Sequence, residues 1–440
     1  MQASDYLDDL FAYLDRSPTA YHAVANSAAL LRRHGFQHLR EAEPWGSLAP
    51  GAYYLVRNDA SLIAFTLSHS PQTGMPLRMA GAHTDSPGLK IKPEPLHLRH
   101  GCVRMGVEVY GGALLAPWFD RPLSIAGRVS WSGSDGVLRC SLIDWRRPVA
   151  IIPSLAIHLD REVNDKRSIN RQTDLVPLAA LSSDPAPPDF SALLREELAG
   201  RHPEAAQAAI LGFDLFLYDP QPPVRVGLHG EFIVGPRLDN LLSCHALVQA
   251  LAQSGTDRNR LVVLNDHEEA GSVSASGAQG PFLTSVLERL YPDAALRQQA
   301  LAGSLFISVD NAHAVHPNFA DRHDPEHSPQ LNQGPVIKTN ANQRYATNSP
   351  TGALFRRFCA QAGVPCQQFV MRNDLACGST IGPLTAAAIG VATVDVGVPQ
   401  LAMHSIRETA GHLDGWYLLR ALTAFFAEED ASIRCPEASP

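Results

Sequence analysis

The stretch RLVVLNDHEEAGS, residues 260–272, decides how the chain folds. It begins as a short unbroken apolar run, the pattern of a strand buried on both faces, and turns abruptly acidic where that run ends. A helical segment precedes it, NLLSCHALVQALAQ (240–253), and another follows, PFLTSVLERLYP (281–292). The alternation continues with strand SLFISVD (304–310), helix TGALFRRFCAQAG (351–363), strand QQFVM (367–371), helix IGPLTAAAIG (381–390), strand VATVDVG (391–397) and helix DGWYLLRALTAFFAEE (414–429). Such alternation predicts an α/β fold, a mostly parallel sheet sandwiched by helices.

The N-terminal end fits the same scheme. Two amphipathic segments, 4–15 and 20–34, the first with Leu7, Leu10, Phe11 and Leu14 on one face, precede the strand-like runs GAYYLVR (51–57), SLIAFTLS (61–68) and LRMAGAH (77–83). Between 93 and 230 the texture changes. Short strands VRMGVEVYGG (103–112), LSIAGRVSW (123–131), GVLRCSLIDW (136–145) and VAIIP (149–153) are followed by the loop SSDPAPPDF (182–190) and a helical stretch near 190–210. Proline-rich punctuation brackets this segment, KIKPEPLHL (90–98) on entry and YDPQPPVRVG (218–227) on exit. The prediction is one α/β domain from residues 1–92 plus 231–440, with 93–230 inserted as a strand-rich second domain.

Composition excludes several functions. The chain has 440 residues, 45% hydrophobic and 18% charged, and 36 Lys+Arg against 44 Asp+Glu give a net charge of −8 with no basic footprint for nucleic acid. No run of 18 apolar residues exists to span a membrane, and MQASDYLDDLFAYLDRS lacks the basic start and apolar core of a secretory signal, so a cytoplasmic location is expected. Seven cysteines without a CxxC pair fit reduced, mostly buried thiols.

The acidic and histidine residues fall where the strands end. His83 and Asp85 follow LRMAGA, Asp239 stands in GPRLDN before a helix, Glu268 and Glu269 follow LVVLNDH, Asp310 ends LFISVD, and His404 lies in QLAMHS. In an open α/β sheet the carboxyl ends of strands converge on one crevice, so these groups can share a site. Two imidazoles with several carboxylates suit divalent cations, zinc first, and a pair of cations would use a bridging carboxylate. Adjacent Glu268 and Glu269 can divide the work, one binding metal and the other acting as general base. Taken singly these residues have ordinary roles: Asp239 reads equally as a helix N-cap, and HEEAG lacks the second His of an HExxH helix.

Taken together, GAHTDSPGLKIKP, GPRLDN, NDHEEAGS, SVDNAHA and QLAMHSIRE, in this order, resemble the aspartyl aminopeptidase family, di-zinc aminopeptidases acting on acidic N-terminal residues. IIPSLAIHLDREVN, IKTNANQRYATN and RNDLACGSTIGP resemble it too, and the chain looks like a bacterial member. The resemblance implies two zinc ions, one on His83 and Asp310, the other on Glu269 and His404, with Asp239 bridging. It makes Glu268 the general base and gives Asp85 the task of orienting His83. It also implies assembly into a tetrahedral dodecamer built from dimers, with 93–230 serving oligomerisation and substrate access. In that assembly His158 reaches a neighbouring subunit's site, while Lys338 and Tyr345 lie near the substrate's acidic side chain. One departure is Ala270, where a bulkier aliphatic residue is expected to pack behind the base. The expected activity is removal of N-terminal Asp or Glu from short peptides; a metal-dependent deacylase or carboxypeptidase, a neutral-specificity aminopeptidase and a metal-keeping scaffold are the alternatives.

Overall fold

The computed structural model describes residues 1–68 and 74–429, and among these the chain forms three sheets. The largest has nine strands, in the order Gln37–His38, Gly51–Arg57, Ser61–Leu67, Arg260–Asn265, Arg78–His83, Leu305–Val309, Ala392–Gly397, Val336–Thr339 and Gln367–Val370. Its four central strands, from Arg260–Asn265 to Ala392–Gly397, run parallel. Antiparallel pairs flank them on both sides, so the sheet is mixed.

The central strands are buried along almost their whole length because helices cover both faces. One face packs under the helices Ala3–Asp15, Ala20–Arg33, Leu238–Ala252, Ser349–Ala362 and Asp414–Ala427 around a core that includes Leu247, Leu264, Ile307, Val394 and Phe425. The other packs under Phe282–Leu290, Ala294–Ala302 and Ile381–Ile389 around Phe65, Met79, Val263, Phe282 and Phe306. At Gly81 a Cβ would come within 2.8 Å of Phe306 and 2.9 Å of Val263, so the residue beside the His83 strand end has to be glycine. A Cβ at Gly397 would collide with the backbone carbonyl of Asp310.

The second sheet is antiparallel, with six strands from Gly88–Arg99 to Ala209–Tyr218, and has its own apolar core of Ile125, Val129, Trp131, Leu194 and Leu215 under the helix Phe190–Ala199. KIKPEPLHL is therefore not punctuation but part of the strand Gly88–Arg99, with Pro93 and Pro95 absorbed by a register shift between Ile91 and Leu96. VAIIP, conversely, makes only isolated bridges, Leu123 with Ala150 and Ile151 with Leu178. The third sheet, of five short strands, joins Val224–Val226, Phe232–Gly235, Glu408–Gly411, Pro399–Leu401 and Ala312–His313.

The six described cysteines are free, as expected, but only Cys244 and Cys359 are fully buried. The others sit on strands and loops whose outer faces meet solvent; Cys435 lies outside the described residues. No helix among the described residues is long and apolar enough to cross a membrane.

Candidate metal centre

Parallel register brings the predicted residues together. Asn265 pairs with His83 and Ser308 with Gly81, so the carboxyl ends of three neighbouring strands deliver Glu268 and Glu269, His83 and Asp310 to one edge. The helix Leu238–Ala252 brings Asp239 to that edge from its first turn. Asp239 is no N-cap: that position falls to Arg237 in a left-handed conformation, and the backbone at Asp239 leaves the helical region, with a cis peptide to Asn240. His404 arrives from the turn between Pro399–Leu401 and Glu408–Gly411.

Ligand atoms fall into three groups, in each of which all atoms lie within 4.8 Å of one another: His83, Asp239 and Asp310; Asp239, Glu269 and His404; and His83, Glu268 and Glu269. Asp239 belongs to the first two. Its Oδ1 stands 3.4 Å from His83 Nε2 and its Oδ2 3.6 Å from His404 Nε2. His83 Nε2 is 3.6 Å from Asp310 Oδ1, and His404 Nε2 is 3.3 Å from Glu269 Oε1.

Both imidazoles are anchored in the same way. His83 Nδ1 lies 3.1 Å from the carbonyl oxygen of Asp85 and 3.4 Å from its Oδ1, and His404 Nδ1 lies 3.1 Å from the carbonyl oxygen of Gly112. A proton on Nδ1 satisfies each carbonyl and leaves Nε2 as a free lone pair facing the carboxylates, the tautomer that binds a cation. Asp85 does more than hold His83. It accepts the backbone N–H groups of Glu268 and Glu269, each at 3.1 Å, and the Tyr110 hydroxyl at 2.6 Å, fixing the short turn Glu268–Ala270.

The electrostatics call for positive charge. Burial first, then Asp310, Asp85 and Asp239, push the Glu268 carboxyl up to about 7, against the pull of His83. Burial and Asp239 drive Glu269 well above the ordinary range, and burial and Asp310 raise Asp239. Burial opposes the ionisation of Asp310 too, yet Lys338 and His83 outweigh it and hold that carboxyl low. Burial likewise works against protonating His83, and the neighbouring carboxylates of Asp239, Asp310 and Asp85 overcome it and raise its pKa well above normal. Asp239 Oδ1 is buried without a hydrogen-bond partner. Crowded carboxylates, an orphaned carboxylate oxygen and two imidazoles presenting Nε2 fit divalent cations.

Lys338 is buried rather than a surface lysine. Its ammonium is 3.4 Å from Asp310 Oδ2 and 3.3 Å from the carbonyl oxygen of Asn311, and lies 5.1 Å from the ring centre of buried Tyr345. The structure does not bring His158 to the cluster: it is exposed on the irregular segment between Ile151 and Leu178. Ala270 is exposed as well, so it packs behind nothing and its small size opens no gap. Two residues of the site are not evident in the sequence. Tyr110 ends a strand just before Gly111 and Gly112, and Glu408 lies inside QLAMHSIRE; strand-end position was the available signal for the first, and the second had none beyond its proximity to His404.

This is the donor set and strand-edge placement of an α/β metallohydrolase. The sequence model described as Aminopeptidase I zinc metalloprotease (M18) matches residues 13–426, and the chain belongs to that family. It is a metallopeptidase of the aminopeptidase type. It is 53% identical over 421 residues to a probable M18 family aminopeptidase 2 of Stutzerimonas stutzeri (strain A1501), covering 96% of this chain and 98% of that one. A counterpart described in the same words, from Pseudomonas putida (strain GB-1), is 51% identical over 96% of this chain and 98% of its own length. Among solved structures, one of the Ape4 and Nbr1 complex is similar with a TM-score of 0.92 and 39% identity over 97% of this chain and 86% of that one. A structure of the S. cerevisiae mApe1 dodecamer is similar with a TM-score of 0.83 and 29% identity over 96% of each chain.

Proposed function

We propose that the protein removes a single N-terminal residue, Asp or Glu in preference, from short peptides. In this reading His83 and Asp310 would hold one zinc ion and Glu269 and His404 a second, Asp239 would serve both, and Glu268 is the general base. The observation that carries it is the membership of Asp239 in two ligand groups at once, with Glu268 in a third group that shares His83. Two divalent ions held so would polarise the scissile carbonyl and lower the pKa of the attacking water.

The chain's own residues do the rest. Asp85 keeps His83 Nε2 turned to the centre and holds the backbone of the Glu268 turn. The Glu268 carboxylate takes a proton from the attacking water and returns it to the leaving amine. The surrounding carboxylates attract the substrate's α-ammonium, which limits cleavage to the first residue. Lys338 and Tyr345 are the residues assigned to the acidic side chain; because Lys338 leans on Asp310, a substrate carboxylate would share its ammonium rather than own it.

Residues 93–230 would form the oligomerisation and substrate-access domain beside a catalytic domain of 1–92 plus 231–440, with His158 completing a neighbouring copy's site in a dodecamer built from dimers. The exposure of Leu155, Ile157 and Leu159 around His158 supports this, as does the likeness to a protein solved as a dodecamer. A chamber of that kind in the cytoplasm would admit short peptides and exclude folded proteins. The test is hydrolysis of peptides differing only at the N-terminal residue, using protein as purified, chelator-treated and zinc-restored. Metal-dependent release of Asp and Glu alone supports the proposal; trimming of neutral residues overturns the specificity, and a fully metallated protein that cuts only acylated amino acids or C-termini overturns the activity.

A further inference from the structure

Glu408 is a carboxylate that the chain buries almost completely, at 1% exposure, with no Lys or Arg in ion-pair range among the described residues. Burying such a group without a cation is costly, so its acceptors need a reason. They have one. Oε2 accepts the backbone N–H of Asp239 at 2.9 Å, and Oε1 accepts the backbone N–H of His404 at 2.7 Å and the side-chain amide of Gln400 at 3.3 Å. One carboxylate thus ties together two backbone segments far apart in sequence, each carrying a ligand atom of the same group, Asp239, Glu269 and His404.

Both tied segments are irregular. His404 has φ 67°, in the left-handed region a histidine rarely adopts, and Asp239 leaves helical geometry inside the first turn of its helix. Neither N–H has a regular backbone partner there, and a two-oxygen acceptor answers both. A glutamine offers one acceptor oxygen and would turn an amide N–H toward the other donor. We infer that Glu408 is a positioning residue that sets the spacing between Asp239 and His404, and through it the affinity of one of the two metal positions. The other position shares Asp239 but not His404, and its two remaining residues have anchors of their own, His83 on Asp85 and Asp310 on Lys338, so it depends on Glu408 less.

The inference rests on the two-ion reading, and one titration separates the two. Metal-free wild-type protein, Glu408→Gln and Glu408→Ala are titrated with zinc by calorimetry, and their cobalt-loaded absorption spectra are compared. The expected result is two zinc ions for wild type, and for both variants one zinc bound within about twofold of wild type and a second weakened tenfold or more, the loss familiar when a residue supporting a ligand is removed. The cobalt bands of the weakened position change while those of the other stay. If wild type binds fewer than two ions, the two-ion reading fails. If it binds two and both variants match it within twofold, or lose both positions equally while their metal-free forms melt at the wild-type temperature, the positioning role is overturned. Should Glu408→Ala fail to fold, Glu408→Gln carries the comparison; should both fail, the selective role is overturned in favour of a purely structural one.

Discussion

Two histidines define two kinds of region in this molecule. His83 sits at the end of a central parallel strand with its side chain 2% exposed, one ring nitrogen on Asp85 and the other facing Asp239 and Asp310. His158 sits exposed on an irregular segment of the strand-rich part, beside the outward-facing Leu155, Ile157 and Leu159. The first is fixed by its own chain from every side. The second has little around it, and apolar side chains left in solvent on one loop mark a surface that expects a partner. A site residue held by the chain itself is sensitive to the group it touches; on the proposed assembly, His158 is sensitive to the presence of a second copy.

The sharpest way to break this contrast is Glu268→Gln. On the proposed base role, its loss from a site whose other contacts stay intact should lower kcat by about 10³-fold, within the usual range for such groups, with metal content by elemental analysis unchanged. A second blow falls on the exposed region. Leu155→Asp with Leu159→Asp should shift sedimentation from a large assembly to small species, since interface anchors cost about 2 kcal/mol or more each, and activity should fall with the assembly if His158 completes a neighbouring copy's site; an unchanged sedimentation profile would sink the idea that this loop meets another copy.

Tyr110→Phe tests how far the buried side depends on its hydrogen bonds. Removing the hydroxyl that donates to Asp85 should cost about tenfold in kcat/KM, a hydrogen bond to a charged acceptor being worth about 1.5–3 kcal/mol, with assembly untouched. The smallest effect is electrostatic. In metal-stripped protein Glu268 is pushed up to about 7 from an ordinary 4.5, so the folded state holds a proton that the unfolded state has released between those values. Stability from this group is therefore present below pH 4.5 and lost as pH rises towards 7. Stripped Glu268→Gln should match stripped wild type in thermal midpoint near pH 4.5 and exceed it by a few degrees near pH 8, the scale on which a destabilisation of about 3 kcal/mol appears in a chain of 440 residues; a gap of the opposite sign would contradict the burial argument.

The buried side was the more legible of the two. Apolar runs such as LFISVD and LVVLND announce central strands, and in an α/β sheet that pattern alone places Asp310, Glu268 and Glu269 at one edge. What stayed hidden has a physical cause in each case. Pro93 and Pro95 looked like breakers because a register shift that tolerates them is a property of two paired strands, not of one. Strands of two to four residues, such as Ala312–His313 and Glu408–Gly411, are too short to show a period. Lys338 and Glu408 are charged residues whose burial is decided by partners distant in sequence, Asp310 for one and the backbones at Asp239 and His404 for the other. His158 is the converse: its motif IIPSLAIHLDREVN stands out in the sequence, but among the described residues it is exposed and stands in none of the ligand groups.

The glycine at 397 carries a consequence of its own. It bears no chemistry, yet any side chain there would take the space of the Asp310 carbonyl, while the Asp310 N–H is bonded to the neighbouring Val396 carbonyl at 2.9 Å. The alphabet permitted at this position is one letter long. A point change to alanine, invisible to any inspection of donor atoms, would displace the Asp310 backbone and with it a carboxylate of the cluster. Inactive relatives of this enzyme can therefore arise with every ligand intact, and counting intact ligands is not enough to tell a working copy from a silent one.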